Sequence, residues 1–331
     1  MRRKRASEKA ATRESNQRRP KDRRSKNRRP TISIVGYGSL AASLAPALRD
    51  AGYEIAEIIM ASRAGGESVR RARALAKQVG ARAVTAENAA LDASLLWLCV
   101  PDREIGTAAA AIAERLATLR RQRGLTGLRF AFHSSGVLLS DGLALLRDAG
   151  IAVASVHPLM TFVAGGRPSL SGVPFAIEGE AAAMRIARRI VCDLGGESFI
   201  LPLRGKAAYH AWATMTSPLL VAYLVTLEEA ARRAGLTREL ARRISLPIIL
   251  QTLSNYGRLG PANSFSGPFV RGDAATVAKH LALLRNDPVT HSVYVALARA
   301  ALKLLPVKNR GEVQRLLESD SRRPLNRKGR K

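Results

Sequence analysis

The chain has 331 residues, 2 cysteines, 5 histidines and a formal net charge of +28. That length supplies core for two domains, and no uninterrupted apolar run reaches the ~18 residues of a membrane-crossing helix. Two cysteines at positions 99 and 192 exclude a disulfide framework and a cysteine-rich metal site. They are expected to be buried small residues in a reducing cytoplasm.

The charge gathers at the ends. Residues 1–30 hold 14 Lys and Arg against 3 acids, and residues 321–331 hold 6 against none. Neither end repeats large apolar residues, so 1–30 and 319–331 are expected to be disordered. No apolar segment follows the N-terminal arginines, so they do not form a secretory signal. Basic ends attract nucleic-acid phosphates or an anionic membrane, without base specificity because they carry no aromatics to stack on. A solvated tail without a partner is the favoured alternative, and a start later than Met1 is another.

The first apolar run, Ile32 to Val35, leads through Gly36, Tyr37, Gly38, Ser39, Leu40 and Ala41 into an alanine-rich helical pattern ending at Gly52. Strand, glycine turn and helix make the first βα unit of a dinucleotide-binding fold. Gly36 permits the turn, Gly38 lets a pyrophosphate approach the backbone, and Ala41 lets helix and strand pack closely. The helix N-terminus offers free N–H groups to the phosphates. Pro46 inside that helix is expected to kink it.

The second strand, Ile55 to Ala61, ends in Ser62 and Arg63. An NAD site places a carboxylate at this tip. Here Glu57 comes too early in the strand, and Ser62 with Arg63 suits a 2′-phosphate. Arg70, Arg71 and Arg73 follow. The expected cofactor is therefore NADP rather than NAD, with a solvated Arg63 as the alternative.

A helix over Glu67 to Val79 and a short strand at Ala83-Val84 come next. Leu95 to Val100 reads as a strand buried on both faces. Its end, Val100, Pro101 and Asp102, is expected beside the cofactor ribose or nicotinamide, and Asp102 is expected to cap the helix Arg103 to Arg120. Leu128 to His133 is a fifth strand followed by Ser134, Ser135 and Gly136. Ile151 to Val156 is a sixth, followed by His157. Two strands thus deliver histidines to one sheet edge. His133 and Ser134 are assigned to the cofactor; Ser135, Gly136 and His157 are assigned to the substrate. A lone histidine is more often a satisfied structural residue, and that alternative holds for each.

Strands at Gly172 to Gly179 and Ser198 to Leu201 flank a helix over Ala181 to Leu194. Beyond Leu203–Gly205 the pattern is helical. One helix over Ala207 to Ala234 is broken or kinked at Pro218, Thr237 caps the next, and Pro247 breaks or kinks that one. Residues 257–272 read as a loop, and Asp273 caps the helix Ala274 to Arg285. Helices over Val289 to Leu304 and Gly311 to Leu317 complete the chain. The expected fold is α/β: a Rossmann-type doubly wound, mainly parallel sheet over residues 31–203, followed by an all-α domain over 204–318. A substrate is expected in a cleft between them.

Several blocks carry a resemblance. G-Y-G-S-L-A at Gly36 to Ala41, with S-R at the second strand end, resembles the NADP-binding half of the pyrroline carboxylate reductase and β-hydroxyacid dehydrogenase group. V-P-D, H-S-S-G, H-P-L-M-T-F, G-V-P-F-A-I-E-G, K-A-A-Y-H and S-G-P-F-V-R-G-D resemble Rossmann-like proteins whose C-terminal half is a helical domain of unknown function. The resemblance covers about residues 31–305. It implies a nicotinamide cofactor and a homodimer built through the helical domain, and names no substrate. Related dehydrogenases pair a Lys with an Asn along the first helix of that domain; here Lys206 is present and Ser217-Pro218 stands at the downstream position.

Lys206 and His210, four apart on one helix face, are the candidate catalytic pair, able to polarise a carbonyl and donate a proton. A surface cation and a packed histidine form the alternative. Arg271 suits a substrate carboxylate, or else Asp273 or a helix end, and His280 follows it. Three functions stay open. The first is an NADP-dependent oxidoreductase of a small, anionic carbonyl or imine compound. The second is an NADP-binding regulator without turnover. The third is a nucleic-acid- or membrane-associated protein working through its basic ends.

Overall fold

The structure is a computed structural model that describes residues 29–60, 65–124 and 126–322. Ser62, Arg63 and most of both basic ends lie outside the described residues. The chain forms two compact units, one ending at His210 and the other starting at Ala211.

The first unit is an eight-stranded sheet in the order β3-β2-β1-β4-β5-β6-β7-β8. Its strands are β1 (Ile32–Val35), β2 (Ile55–Met60), β3 (Arg82–Thr85), β4 (Leu95–Leu98), β5 (Phe130–His133), β6 (Ala152–Pro158), β7 (Pro174–Gly179) and β8 (Glu197–Ile200). All neighbours are parallel except β6 and β7. A parallel return needs a crossover element. Residues 159–173 contain no helix, so β7 runs back beside β6.

Apolar residues cover both faces of the central strands. Ile32, Ile34, Leu95 and Trp97 face the core under α1 (Ser39–Asp50), α2 (Gly66–Val79) and α5 (Ala181–Asp193). Val35, Leu96 and Leu98 face the core under α3 (Asp102–Arg123) and α4 (Ala144–Asp148). The period-2 strand geometry sends alternate residues to opposite layers, which explains the unbroken apolar runs. The strand order reverses between β1 and β4. The crevice beyond their carboxyl ends is where this architecture receives a ligand.

The second unit holds most of α6 (Lys206–Thr216), then α7 (Pro218–Arg232), α8 (Arg238–Ser264), α9 (Pro268–Arg271), α10 (Ala274–Leu284), α11 (Pro288–Leu304) and α12 (Arg310–Ser321). Pro218 starts a new helix, as expected. Thr237 caps α8 through Leu240 N, and Asp273 caps α10 through Thr276 N.

α1 is one continuous helix through Pro46. Four expectations are corrected. α8 continues past Pro247 and leaves helical geometry only at Gly260, whose φ of 74° is left-handed. Much of the supposed loop 257–272 is therefore helical. Pro101, not Asp102, is the N-cap of α3, and no side chain caps it. Cys192 is exposed, although Cys99 is buried; the amphipathic α5 turns Cys192 outward and Ile190 and Val191 inward.

Candidate active site

Gly36 and Gly38 stand at the switch point for different reasons. Gly36 has a φ of +114°, and a Cβ there would lie 2.5 Å from the Cys99 carbonyl oxygen. Fold geometry alone requires glycine at that crossing. Gly38 has φ −73° and ψ −174°, which any residue adopts, and a Cβ there would meet nothing within 4 Å. Neither backbone nor neighbours demand its bareness. The position suits a group that approaches from outside.

Gly38 is the N-cap of α1, with no capping side chain and no acid in the first turn. Tyr37 and Leu40 pack on the core and Ala41 is fully buried. This stretch therefore offers a ligand backbone N–H groups rather than side chains. That cradle fits a pyrophosphate. Val100 borders Gly36, and Asp102 opens α3 next to it. Glu57, buried in β2, accepts from Arg82 at 2.9 Å and from Ala90 N at 3.1 Å, so it is a structural carboxylate.

The two strand-end histidines have different surroundings. His133 is fully buried; its Nδ1 accepts from Ser135 N at 3.1 Å and its Nε2 lies 2.9 Å from the Leu139 carbonyl. Burial lowers its pKa to about 4. With one nitrogen accepting and the other donating, it is a neutral imidazole with no nitrogen left for a ligand. The assignment of His133 to the cofactor is thus corrected: this ring organises the loop after β5. In the same loop Ser134 Oγ accepts from Trp97 at 2.9 Å. Ser135 Oγ accepts from Leu138 N at 2.9 Å and Ser135 is buried. Both serines serve the loop's own geometry.

His157 is half-buried, and its Nδ1 lies 2.8 Å from the Tyr209 hydroxyl. The His210 ring stands 6.4 Å away, edge to face. A Cβ on Gly136 would lie 2.6 Å from His210 Cδ2 and 2.9 Å from His157 Nε2. Gly136, His157, Tyr209 and His210 therefore form one cluster, of which sequence reasoning missed Tyr209. Burial, then the neighbouring His210 and Lys206, lowers the His157 pKa to about 4; burial raises that of Tyr209 to about 12. The Asp102 charge acts on His133, His157 and Lys206, so the end of β4 faces the same region.

Lys206 and His210 do not act as one exposed pair. The Lys206 ammonium is buried, 2.9 Å from Glu178 Oε1, and also donates to Ser155 Oγ. Desolvation lowers its pKa against the pull of Glu178. Lys206 as proton donor is therefore corrected: its cation is consumed inside the protein. Glu178 accepts further from Ser140 N at 2.7 Å and Ser140 Oγ at 2.9 Å. Sequence reasoning missed both Glu178 and Ser155. The available signal was a glutamate inside the apolar strand P-F-A-I-E-G, which must find a cation when buried.

Arg271 and His280 lie in the second unit. Arg271 is exposed at the end of α9, and its charge helps to hold the Asp273 carboxyl below the usual range, behind that residue's bonds to Thr276. His280 Nδ1 lies 2.9 Å from the Tyr294 hydroxyl.

Comparison with known proteins fits this architecture. Residues 27–121 match the NADPH-binding domain of acetohydroxy acid isomeroreductase. Residues 173–301 match a domain of unknown function, DUF2520, and that span includes Glu178, Lys206, Tyr209 and His210. No curated protein matches the chain with significance. Among solved structures, a candidate NADP oxidoreductase of Bacteroides fragilis superposes with a TM-score of 0.64 at 22% identity, covering 82% of this chain and 97% of that one. A Thermotoga maritima protein gives 0.63 at 22% identity, covering 88% and 100%. The 1-pyrroline-5-carboxylate reductase of Streptococcus pyogenes gives 0.54 at 15% identity, covering 88% and 98%. The chain thus resembles the Rossmann-type NADP oxidoreductases, its N-terminal part matching an NADPH-binding domain and its C-terminal part a helical domain of unknown function.

Proposed function

We propose that the chain is an NADP-dependent reductase of a small, anionic carbonyl or imine compound. The observation that carries this reading is the bare, uncapped seat at Gly38, placed at the switch point within the segment that matches an NADPH-binding domain. Bound NADPH supplies a hydride. The protein's part is to bind, orient and provide a polar hydrogen opposite the accepting carbon.

His157 is suited to that part. Its lowered pKa keeps it neutral near pH 7, and Tyr209 stays protonated. A Tyr209 hydroxyl donating to Nδ1 assigns the ring proton to Nε2, the nitrogen beside Gly136. That N–H polarises a carbonyl oxygen or imine nitrogen and passes it the proton that completes the reduction, while Nδ1 takes the Tyr209 proton and solvent restores the hydroxyl; His210 flanks it. Asp102 and the Val100–Pro101 turn border the same region from β4. An anionic substrate is supported by the surplus of Lys and Arg over Asp and Glu between the two tails. No described helix is long and apolar enough to cross a membrane; we place the reaction in the cytoplasm.

A homodimer through the helical unit belongs to the same proposal. α7 buries only Glu228 and α8 only Ala241, while Leu219, Val221, Ile248, Leu250 and Leu253 are more than half exposed. Large apolar side chains left exposed in this number mark an interface. A second copy would cover them.

Titration with NADPH and NADH, followed by nicotinamide fluorescence, tests the cofactor. NADPH is expected to bind more tightly, and Arg63→Ala to weaken NADPH selectively. Absence of binding by either nucleotide would overturn the reductase reading. Binding without oxidation across a panel of keto acids and cyclic imines would leave a regulatory NADP-binding protein.

A further inference from the structure

We infer that Glu178 and Lys206 form a positioning pair, which locks the loop after β5 to the first turn of α6 and so sets the His157–Tyr209–His210 cluster. The catalytic consequence rests on the reductase reading; the geometry does not. Ser155 on β6 and Glu178 on β7 are register partners, so their side chains leave the same face of the sheet. Lys206 Nζ bridges the two. Glu178 Oε1, which takes the ammonium, also accepts from Ser140 N, and Oε2 accepts from the Ser140 hydroxyl. One carboxylate thereby joins the end of the 133–140 loop to the start of α6.

Both joined segments carry the cluster. The loop contains Gly136, which fits against the His157 and His210 rings with no room for a Cβ. α6 carries Tyr209 and His210 within one turn of Lys206. His133, bonded at Ser135 N and the Leu139 carbonyl, stiffens the stretch between. A loop and a helix start held at both ends leave the imidazoles one arrangement. Lys206 acts through Glu178 and never meets the substrate.

The test uses the full chain without cofactor, with ring-labelled histidine followed by NMR. His157→Asn and His210→Asn assign the two signals. Ser140→Ala removes one bond to Glu178 and leaves the ion pair intact. It is expected to shift both the His157 and His210 ring signals and to leave His280 and His291 in place. Lys206→Met and Glu178→Gln are expected to abolish the downfield proton of the His157–Tyr209 bond. The double variant Glu178→Gln/Lys206→Gln, neutral and able to hydrogen-bond, is expected to restore it. Unchanged His157 and His210 signals in Ser140→Ala overturn the inference, and so does equal movement of all histidine signals. Should the single charge-removing variants not fold, Ser140→Ala decides alone. Where a substrate is consumed, Ser140→Ala lowers kcat and leaves KM for NADPH unchanged. A chain that consumes no substrate defeats the reductase reading but leaves the NMR outcome readable.

Discussion

The Lys206 ammonium and the Glu178 carboxylate lie 2.9 Å apart with both side chains 3% exposed. A buried pair adds little net stability over apolar residues of the same shape, because desolvation offsets the attraction. Removing one member is different, since the other charge stays buried without a counterion.

Lys206→Met is therefore expected to destabilise the chain by about 3–5 kcal/mol, and Glu178→Gln by a similar amount. Urea unfolding measures this. Glu178→Gln/Lys206→Gln should lose less than the two single losses added together, because neither charge is orphaned. Additive losses would mean that the two side chains stabilise the fold separately.

The two glycines of the first turn should separate folding from binding. Gly36→Ala places a methyl group 2.5 Å from the Cys99 carbonyl in a left-handed conformation. It is expected to cost about 2–4 kcal/mol through strain and overpacking. Gly38→Ala meets nothing and keeps a permitted backbone. It is expected to change stability by less than about 1 kcal/mol, because restriction of the unfolded chain offsets the poorer N-cap. Yet it should weaken NADPH binding at least about tenfold by obstructing the pyrophosphate. Thermal unfolding with and without NADPH reads both effects. Unchanged NADPH affinity in Gly38→Ala would remove the main support for the cofactor seat.

These glycines were legible because their meaning is local: strand, turn and helix lie within one short stretch. The same holds for the apolar strands, the break at Pro218 and the caps at Thr237 and Asp273. The candidate site was legible only in part. His157 and His210 stood out as rare residues at a strand end and a helix start. Their organisers did not, because contact depends on topology: Glu178 is 28 residues from Lys206, Ser155 is 51, and Tyr209 is 52 from His157. Lys206 looked like a free cation because the sequence of its own helix contains no acid to hold it. Pro247 misled in the other direction. Its ring predicts a break or a kink, whereas the helix is unbroken there and leaves helical geometry at Gly260, just before Pro261.

Buried His133 and half-buried His157 predict the acid limb of stability. His133 and His157 have folded pKa values of about 4, below the ordinary 6.5. Above pH 6.5 both are neutral folded or unfolded and contribute no pH dependence. Between pH 6.5 and 4 the unfolded chain binds protons that the folded chain refuses, so stability falls on acidification, by at most about 1.4 kcal/mol per pH unit for each ring. The urea midpoint should drop through this window, and more shallowly in His157→Asn. An equal slope in that variant would mean that His157 titrates normally in the folded protein.

Gly136 offers a test of the cluster itself. A methyl group there collides with His210 Cδ2 and His157 Nε2, the ends of two rings rather than a backbone wall. Gly136→Ala is expected to fold, with a cost of about 1–3 kcal/mol for overpacking. It should bind NADPH normally, and reduction of an accepted imine or carbonyl should fall at least about tenfold, because one imidazole must turn away from its working position. Normal turnover in this variant would place the chemistry elsewhere.

The helical unit makes the remaining prediction. A helix that exposes several large apolar side chains is a surface that another surface can cover. α8 exposes Ile244, Leu246, Ile248, Leu250, Leu253 and Tyr256, each by more than half. Its own unit buries a separate small core on α10, α11 and α12, centred on Val277, Leu281 and Val313. That core does not reach along α8, so covering α8 requires another surface. A second copy supplies an identical apolar face, and twofold pairing closes it without leaving an edge for further growth. Sedimentation equilibrium should therefore show a dimer. Ile248→Glu with Leu253→Lys should shift the chain to monomer while the α10–α12 core still melts cooperatively. A monomeric wild-type chain would reject the homodimer and leave the exposed α8 face to a different partner.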